Sequence, residues 1–151
     1  MALRWIILLE YHRSMSSDND YRRGRHCVFA LHAHLVFVTK YRSRVFTAAI
    51  LADMQTIFKK VCMDFEARLV EFDGEDDHVH LLVHYPPKVA LSALVNSLKG
   101  VSSRRLRQMH PDLVQRYWRG ALWSPSYFAA SCGGAPLSII RQYIEQQRTP
   151  D

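Results

Sequence analysis

The stretch "DDHVHLLVHY", residues 76–85, sets His78 and His80 on either side of Val79, with His84 one further alternation away. Side chains alternate across an extended chain, so Val79, Leu81 and Val83 share one face while His78, His80, Leu82 and His84 share the other. The aliphatic face calls for a core. On the opposite face two imidazoles about 7 Å apart along the strand can converge their ring nitrogens on one divalent ion. Two histidines are an incomplete ligand set, and many strands carry such a pair without a metal. A second pair, His32 and His34 in "LHAHLV", competes for the same role. The acidic turn "DGEDD" immediately before His78 favours the later pair, because Asp77 can orient an imidazole from behind. His34 is then expected to support the site from a neighbouring strand.

Near the C-terminus, "IIRQYIEQQ" spaces Tyr143 and Gln147 four apart, on one face of a helix, with Ile139, Ile140 and Ile144 as its packing stripe. Taken alone this is an ordinary amphipathic helix. Beside two histidines it acquires a chemical reading. A tyrosine hydroxyl, with a pKa of about 10, is a poor nucleophile at neutral pH unless a cation polarises the phosphate it attacks. Two neutral imidazoles and a glutamine carbonyl leave coordination positions open and suit magnesium or manganese. Gly133 and Gly134, just before this helix, would let a nucleophile swing.

These residues need a scaffold to bring them together. Residues 27–39, "CVFALHAHLVFVT", are β-branched and aromatic and predict a long buried strand. Ile50, Met54, Ile57, Phe58 and Val61 recur at helical spacing in 47–65. Residues 66–85 predict a hairpin turning near Gly74 and ended by Pro86 and Pro87. A second helix is expected over 90–110, interrupted by Gly100 and closed by Pro111. Residues 121–131 predict a fourth strand with Pro125 at an edge or bulge, and 136–147 the last helix. The order is that of a ferredoxin-like βαββαβ fold of the α+β class. Two helices should cover one face of the antiparallel sheet, the other face should be open, and the added C-terminal helix should carry Tyr143. Residues 1–20 are polar after a short apolar piece and are expected to be a flexible extension; 21–151 should form one domain.

At 151 residues the chain is sized for a single core. Twenty Lys and Arg against fourteen Asp and Glu give a net charge of +6, which suits a polyanionic partner. Lys40, Arg42 and Arg44, together with Lys99, Arg104, Arg105 and Arg107, are the candidate phosphate contacts. Trp118, Trp123 and Tyr127 are candidates for base stacking or for the core. Three cysteines without a CxxC pair argue against a disulfide framework or thiolate zinc and suit a reducing cytoplasm. The apolar run "WIILL" falls far short of the roughly 20 residues of a membrane span.

Three blocks in order, "YRRGRHCVFALHAHLVFVTKYR", "FDGEDDHVHLLVHYPP" and "LWSPSYFAASCGGAPLSIIRQYIEQQ", resemble the single-tyrosine HUH transposases of the smallest bacterial insertion sequences, the IS200 and IS605 group. The resemblance runs from about Tyr21 to Gln147. It implies that His78 and His80 are the metal-binding pair, Tyr143 the catalytic nucleophile and Gln147 the third protein ligand. It further implies a 5′-phosphotyrosine intermediate on single-stranded DNA, no nucleotide cofactor, recognition of hairpins at element ends, and a homodimer with shared active sites. The nearest alternatives are a related nuclease acting on repeated extragenic palindromes and a non-catalytic single-stranded nucleic-acid-binding module on the same sheet.

Overall fold

The computed structural model describes residues 21–116, 121–131 and Glu145. Its strands are β1 (Arg22–Arg23), β2 (Val28–Phe29), β3 (His32–Val38), β4 (Arg68–Gly74), β5 (His78–His84) and β6 (Phe128–Ser131). Its helices are α1 (Ala48–Asp64), α2 (Leu91–Met109) and α3 (Pro111–Arg116), and a 3-10 turn covers Lys40–Arg42. The extension 1–20, Trp118, the Gly133-Gly134 joint, Tyr143 and Gln147 lie outside the described residues.

The long strand expected over 27–39 is divided. Gly24 donates its backbone N–H to the Cys27 carbonyl at 2.7 Å, and the turn pairs β1 with β2 as a small antiparallel ribbon. Only from His32 does the chain join the main sheet. That sheet has the order β4-β5-β3-β6, with every neighbouring pair antiparallel. With α1 and α2 inserted between the strands, this is the ferredoxin-like order expected from the sequence.

Each helix forms for reasons visible in its residues. The Thr47 side chain caps α1 by accepting from the Ile50 N–H at 3.3 Å. Ile50, Met54, Ile57, Phe58, Val61 and Cys62 then bury one face. Glu66 ends the helix in the left-handed region at φ 57°, with Ala67 N donating to Cys62 O and Glu66 N to Met63 O. This is a Schellman closure without the usual glycine. Helix α2 runs through Gly100 without a break, and a Cβ there would meet nothing within 4 Å. Pro111 does not merely stop α2; it opens α3, where its missing N–H costs no helical bond.

The core lies between the helices and one sheet face: Ala33, Leu35 and Phe37 from β3 and Val79, Leu81 and Val83 from β5 meet Met54, Phe58, Leu94 and Leu98. Trp123 belongs to this core, edge-on to Phe37 and Phe46. Its indole N–H donates to the buried Ser102 Oγ at 2.9 Å. Ser102→Ala is therefore expected to cost about 1–3 kcal/mol by stranding a buried donor, measured by urea denaturation. The fourth strand is shorter than expected. Residues 121–127 follow β3 irregularly, through a Thr39–Trp123 bridge and a Ser124 N–H bond to Val38 O, before β6 begins at Phe128 on the sheet edge.

The face opposite the helices was expected to be left for a ligand, a partner or the added helix, and on it His34, His78, His80, Leu82 and His84 are all buried, at 2–7% exposure. Phe128 lies edge-on to His34 and Phe29 edge-on to His84. The histidines thus work in a desolvated layer rather than on a wet surface.

Candidate active site

Alternation on β5 sends His78 and His80 to one face, and the register of β3 decides what they meet there. Val36 pairs with His80 and His34 with Leu82, so His34 lies diagonally across from His80. Their rings stack with centroids 5.5 Å apart, and His34 Nε2 lies 3.3 Å from His80 Nδ1. His78 and His80 rings are 5.1 Å apart at 75°. His78 Nδ1 lies 2.6 Å from Asp77 Oδ1, within strong hydrogen-bond range. Both histidines are therefore engaged through Nδ1. The other histidine pair is split by the same register: His32 stacks on His84 at 4.4 Å, toward the far end of the strands.

Electrostatics matches this geometry. Burial pushes the His34 imidazole down to about 4. His80 is held well below the usual histidine range by burial and then by its neighbours His78 and His34. Both rings are neutral at pH 7, the form that ligates metal. Asp77 shows the opposite balance. Burial works against its charge, but the hydrogen bonds and attraction of His78 and Arg42 outweigh it and hold the carboxyl below its ordinary range.

The His34 shift carries a stability consequence in the metal-free protein. Between pH 6.5 and about 4 the unfolded chain binds a proton that folded His34 refuses, so stability falls as pH falls through that window. The loss attributable to His34 is up to about 3 kcal/mol. Denaturation midpoints across this range should flatten in His34→Gln; an unchanged slope would assign the acid sensitivity elsewhere.

Asp77 also accepts from Arg42 Nε, at 2.7 Å through Oδ2, and Arg42 Nη1 donates to Glu145 Oε1 at 3.2 Å. Arg42, one of the candidate phosphate contacts, has its side chain 15% exposed and its guanidinium held between two carboxylates. Lys99, another candidate, has intramolecular partners. Its ammonium donates to the carbonyls of Ser124, Pro125 and Ser126 and lies over the Tyr127 ring, pinning the segment before β6 to α2. Lys40 is half-buried and Arg44 exposed at the same end of β3 as Asp77. Arg104 and Arg105 are exposed on α2, in the helical layer on the other side of the sheet, and Arg107 is tied to Ser103 O at 3.0 Å.

Glu75 is a residue that the sequence reading passed over. Ligand atoms of Glu75, Asp77 and His78 lie within 4.8 Å of one another, a grouping compatible with a divalent cation at this end of β5. The "DGEDD" run was the available signal, but only the turn decides which of its carboxylates comes near the imidazole. The Glu75 N–H donates to His78 O across that turn.

Comparison with known proteins agrees with this geometry. Residues 27–147 match the family described as Transposase IS200 like. The chain is 31% identical over 128 residues to the ISDra2 transposase TnpA of Deinococcus radiodurans, covering 85% of this chain and 91% of that protein. It is 31% identical over 118 residues to the transposase for insertion sequence element IS200 of Salmonella typhimurium, covering 78% and 77%. A solved transposase structure from Deinococcus radiodurans R1 superposes with a TM-score of 0.76 at 33% identity, over 85% of this chain and 98% of that one. A REP-associated tyrosine transposase bound to a REP hairpin reaches a TM-score of 0.51 at 10% identity, over 82% and 68%, a likeness of fold alone. The histidine strand, its place at the centre of the sheet and the span of the family match agree, and the chain belongs to the IS200-like transposases, enzymes that process DNA.

Proposed function

We propose that this transposase cleaves and rejoins single-stranded DNA at insertion-sequence ends, with Tyr143 as nucleophile and a divalent ion, magnesium or manganese, held by His78, His80 and Gln147. The observation that carries the reading is the pair of buried imidazoles on β5, each engaged through Nδ1, His78 by Asp77 and His80 by His34, with burial holding His80 in its neutral form. That donor set fits such a cation: two imidazole nitrogens, with a carboxylate behind one of them. Bound there, the ion would supply electrophilic polarisation of the scissile phosphate.

The protein's own residues do the remainder. The Tyr143 hydroxyl gives up its proton and its oxygen attacks phosphorus. The bond from phosphorus to the 3′-oxygen breaks, and that oxygen leaves as a 3′-hydroxyl. The 5′-phosphate stays esterified to the tyrosine, so a different 3′-hydroxyl can reverse the step and join strands without a nucleotide cofactor. The DNA recognised would be element-end hairpins, with Lys40 and Arg44 as the proposed phosphate contacts near the exposed Tyr41 ring. A homodimer handling two ends at once completes the reading.

The test is a denaturing gel of wild-type protein with a labelled single-stranded hairpin from its own element end. A covalent adduct is expected with magnesium or manganese and should vanish with EDTA. Absence of any adduct, or an adduct indifferent to EDTA, would refute the metal-dependent tyrosine reaction while leaving the family assignment intact.

A further inference from the structure

One oxygen of the Asp73 carboxylate, Oδ2, is buried and has no hydrogen-bond partner among the described residues. The other, Oδ1, accepts from the Gly74 N–H at 2.9 Å. Burying a carboxylate oxygen without a donor is costly, so its presence calls for something that satisfies it.

Neighbouring residues fix the face on which Asp73 stands. A Cβ on Gly74 would meet Leu51 Cδ2 at 2.6 Å and Val79 Cγ1 at 3.1 Å, and Phe72 lies edge-on to Phe58, so both of these positions face the helices. Alternation along β4 then turns Asp73 to the histidine face. The register agrees. Asp73 pairs directly with His80, and directly opposed residues share a face with their Cβ atoms about 5 Å apart. A carboxylate with an unused oxygen therefore stands across the strand gap from an imidazole that the proposed function gives to the metal.

Charge gives this placement a purpose. Two imidazoles bring nitrogen donors and no negative charge, whereas magnesium and manganese favour carboxylate oxygen, and charge around a hard cation raises its affinity. Asp77 is a poor source of that charge, because Arg42 Nε donates to its Oδ2 at 2.7 Å and His78 engages Oδ1 at 2.6 Å. Oδ2 of Asp73 carries no such commitment. We propose that Asp73 is a positioning residue for the divalent ion at His78 and His80, supplying negative charge beside it and accepting, through Oδ2, from a water molecule that the ion holds. Magnesium-like ions keep several of their waters, so Oδ2 needs to reach only one of them. The inference rests on the function proposed above and involves β4 and β5 alone. It has an energetic signature: the unsatisfied oxygen is a cost to the metal-free protein and a gain once a cation is bound.

Asp73→Asn separates these two effects, because it keeps the side-chain shape and an oxygen for the Gly74 N–H while removing the charge. In the full-length protein without DNA, it should weaken Mn²⁺ binding roughly 10- to 100-fold, read from the EPR signal of the free ion. The melting temperature of the metal-free protein should stay the same or rise. Asp73→Glu keeps the charge and should hold Mn²⁺ affinity closer to wild type than Asp73→Asn does. Glu75→Gln is the contrasting variant, since Glu75 lies near Asp77 and His78, and it should weaken binding less than Asp73→Asn. Mn²⁺ affinity unchanged by Asp73→Asn would overturn the inference, as would a loss confined to Glu75→Gln. If Asp73→Asn melts early, Asp73→Glu decides: recovered affinity supports the role of the charge, and affinity as low as that of Asp73→Asn overturns it. Wild type that binds no Mn²⁺ sinks the metal site of the proposed function; wild-type binding that Asp73→Asn leaves intact sinks this inference only.

Discussion

Tyr143→Phe is expected to abolish the covalent protein-DNA adduct, not merely to reduce it, while hairpin binding measured by gel shift stays within about twofold. The substitution keeps the ring and removes one oxygen. No other group of that side chain can form the phosphodiester link, so loss should be complete rather than graded. The basic residues proposed to meet phosphate are untouched. If an adduct survives, a different tyrosine is the nucleophile. Tyr41 would be the first alternative, because it is 55% exposed on the turn that carries Arg42. Tyr41→Phe in the otherwise wild-type protein distinguishes the cases: it should leave the adduct in place.

The second large effect is expected from His80→Ala, with metal-dependent cleavage falling at least about 100-fold. Loss of a group that only orients a ligand already costs roughly 10- to 100-fold, and removal of the ligand itself should exceed that. Mn²⁺ titration should show the same loss without DNA. His80 is buried against His34, so the variant also opens a cavity and its melting point must be followed. His80→Gln, which fills more of that space, separates the two causes: restored melting without restored Mn²⁺ affinity marks a ligand. His32→Gln is the contrasting variant, since His32 stacks on His84 away from the pair. Retained cleavage in His80→Gln with loss in His32→Gln would mean that the first histidine pair, not the second, holds the ion.

Much of the architecture could be read directly from local spacing. The Ile50 to Val61 stripe gave α1 to within a residue or two, and the β5 alternation assigned Val79, Leu81 and Val83 to the core, where they lie. Periodicity is a property of neighbouring residues and survives without knowledge of the fold. Boundaries were less legible. The 27–39 run hides the change of partner at Leu31, because Val28 and Phe29 have the same β-forming chemistry as Leu35 and Val36 but pair with a ribbon instead of the sheet.

For the site, residue types alone pointed to His78, His80 and an orienting Asp77, and the bond from Asp77 to His78 is present. What periodicity left undetermined was the surroundings. The histidine face is buried, and alternation tells which residues share a face but not what packs over it. Arg42 counted as one basic residue among seven candidates until the fold brought it to Asp77, 35 positions away, and to Glu145, 103 positions away. Nothing in the run "TKYRSR" announces two left-handed residues in succession. The sequence by itself determined the chemical groups, their alternation and the order of the elements, all set by covalent neighbours. Only the tertiary structure decided which imidazole backs which, how far His34 is desolvated and that an arginine is held between two carboxylates. Strand register and one strained turn bring distant residues within hydrogen-bond range, and burial then sets the charge they can keep.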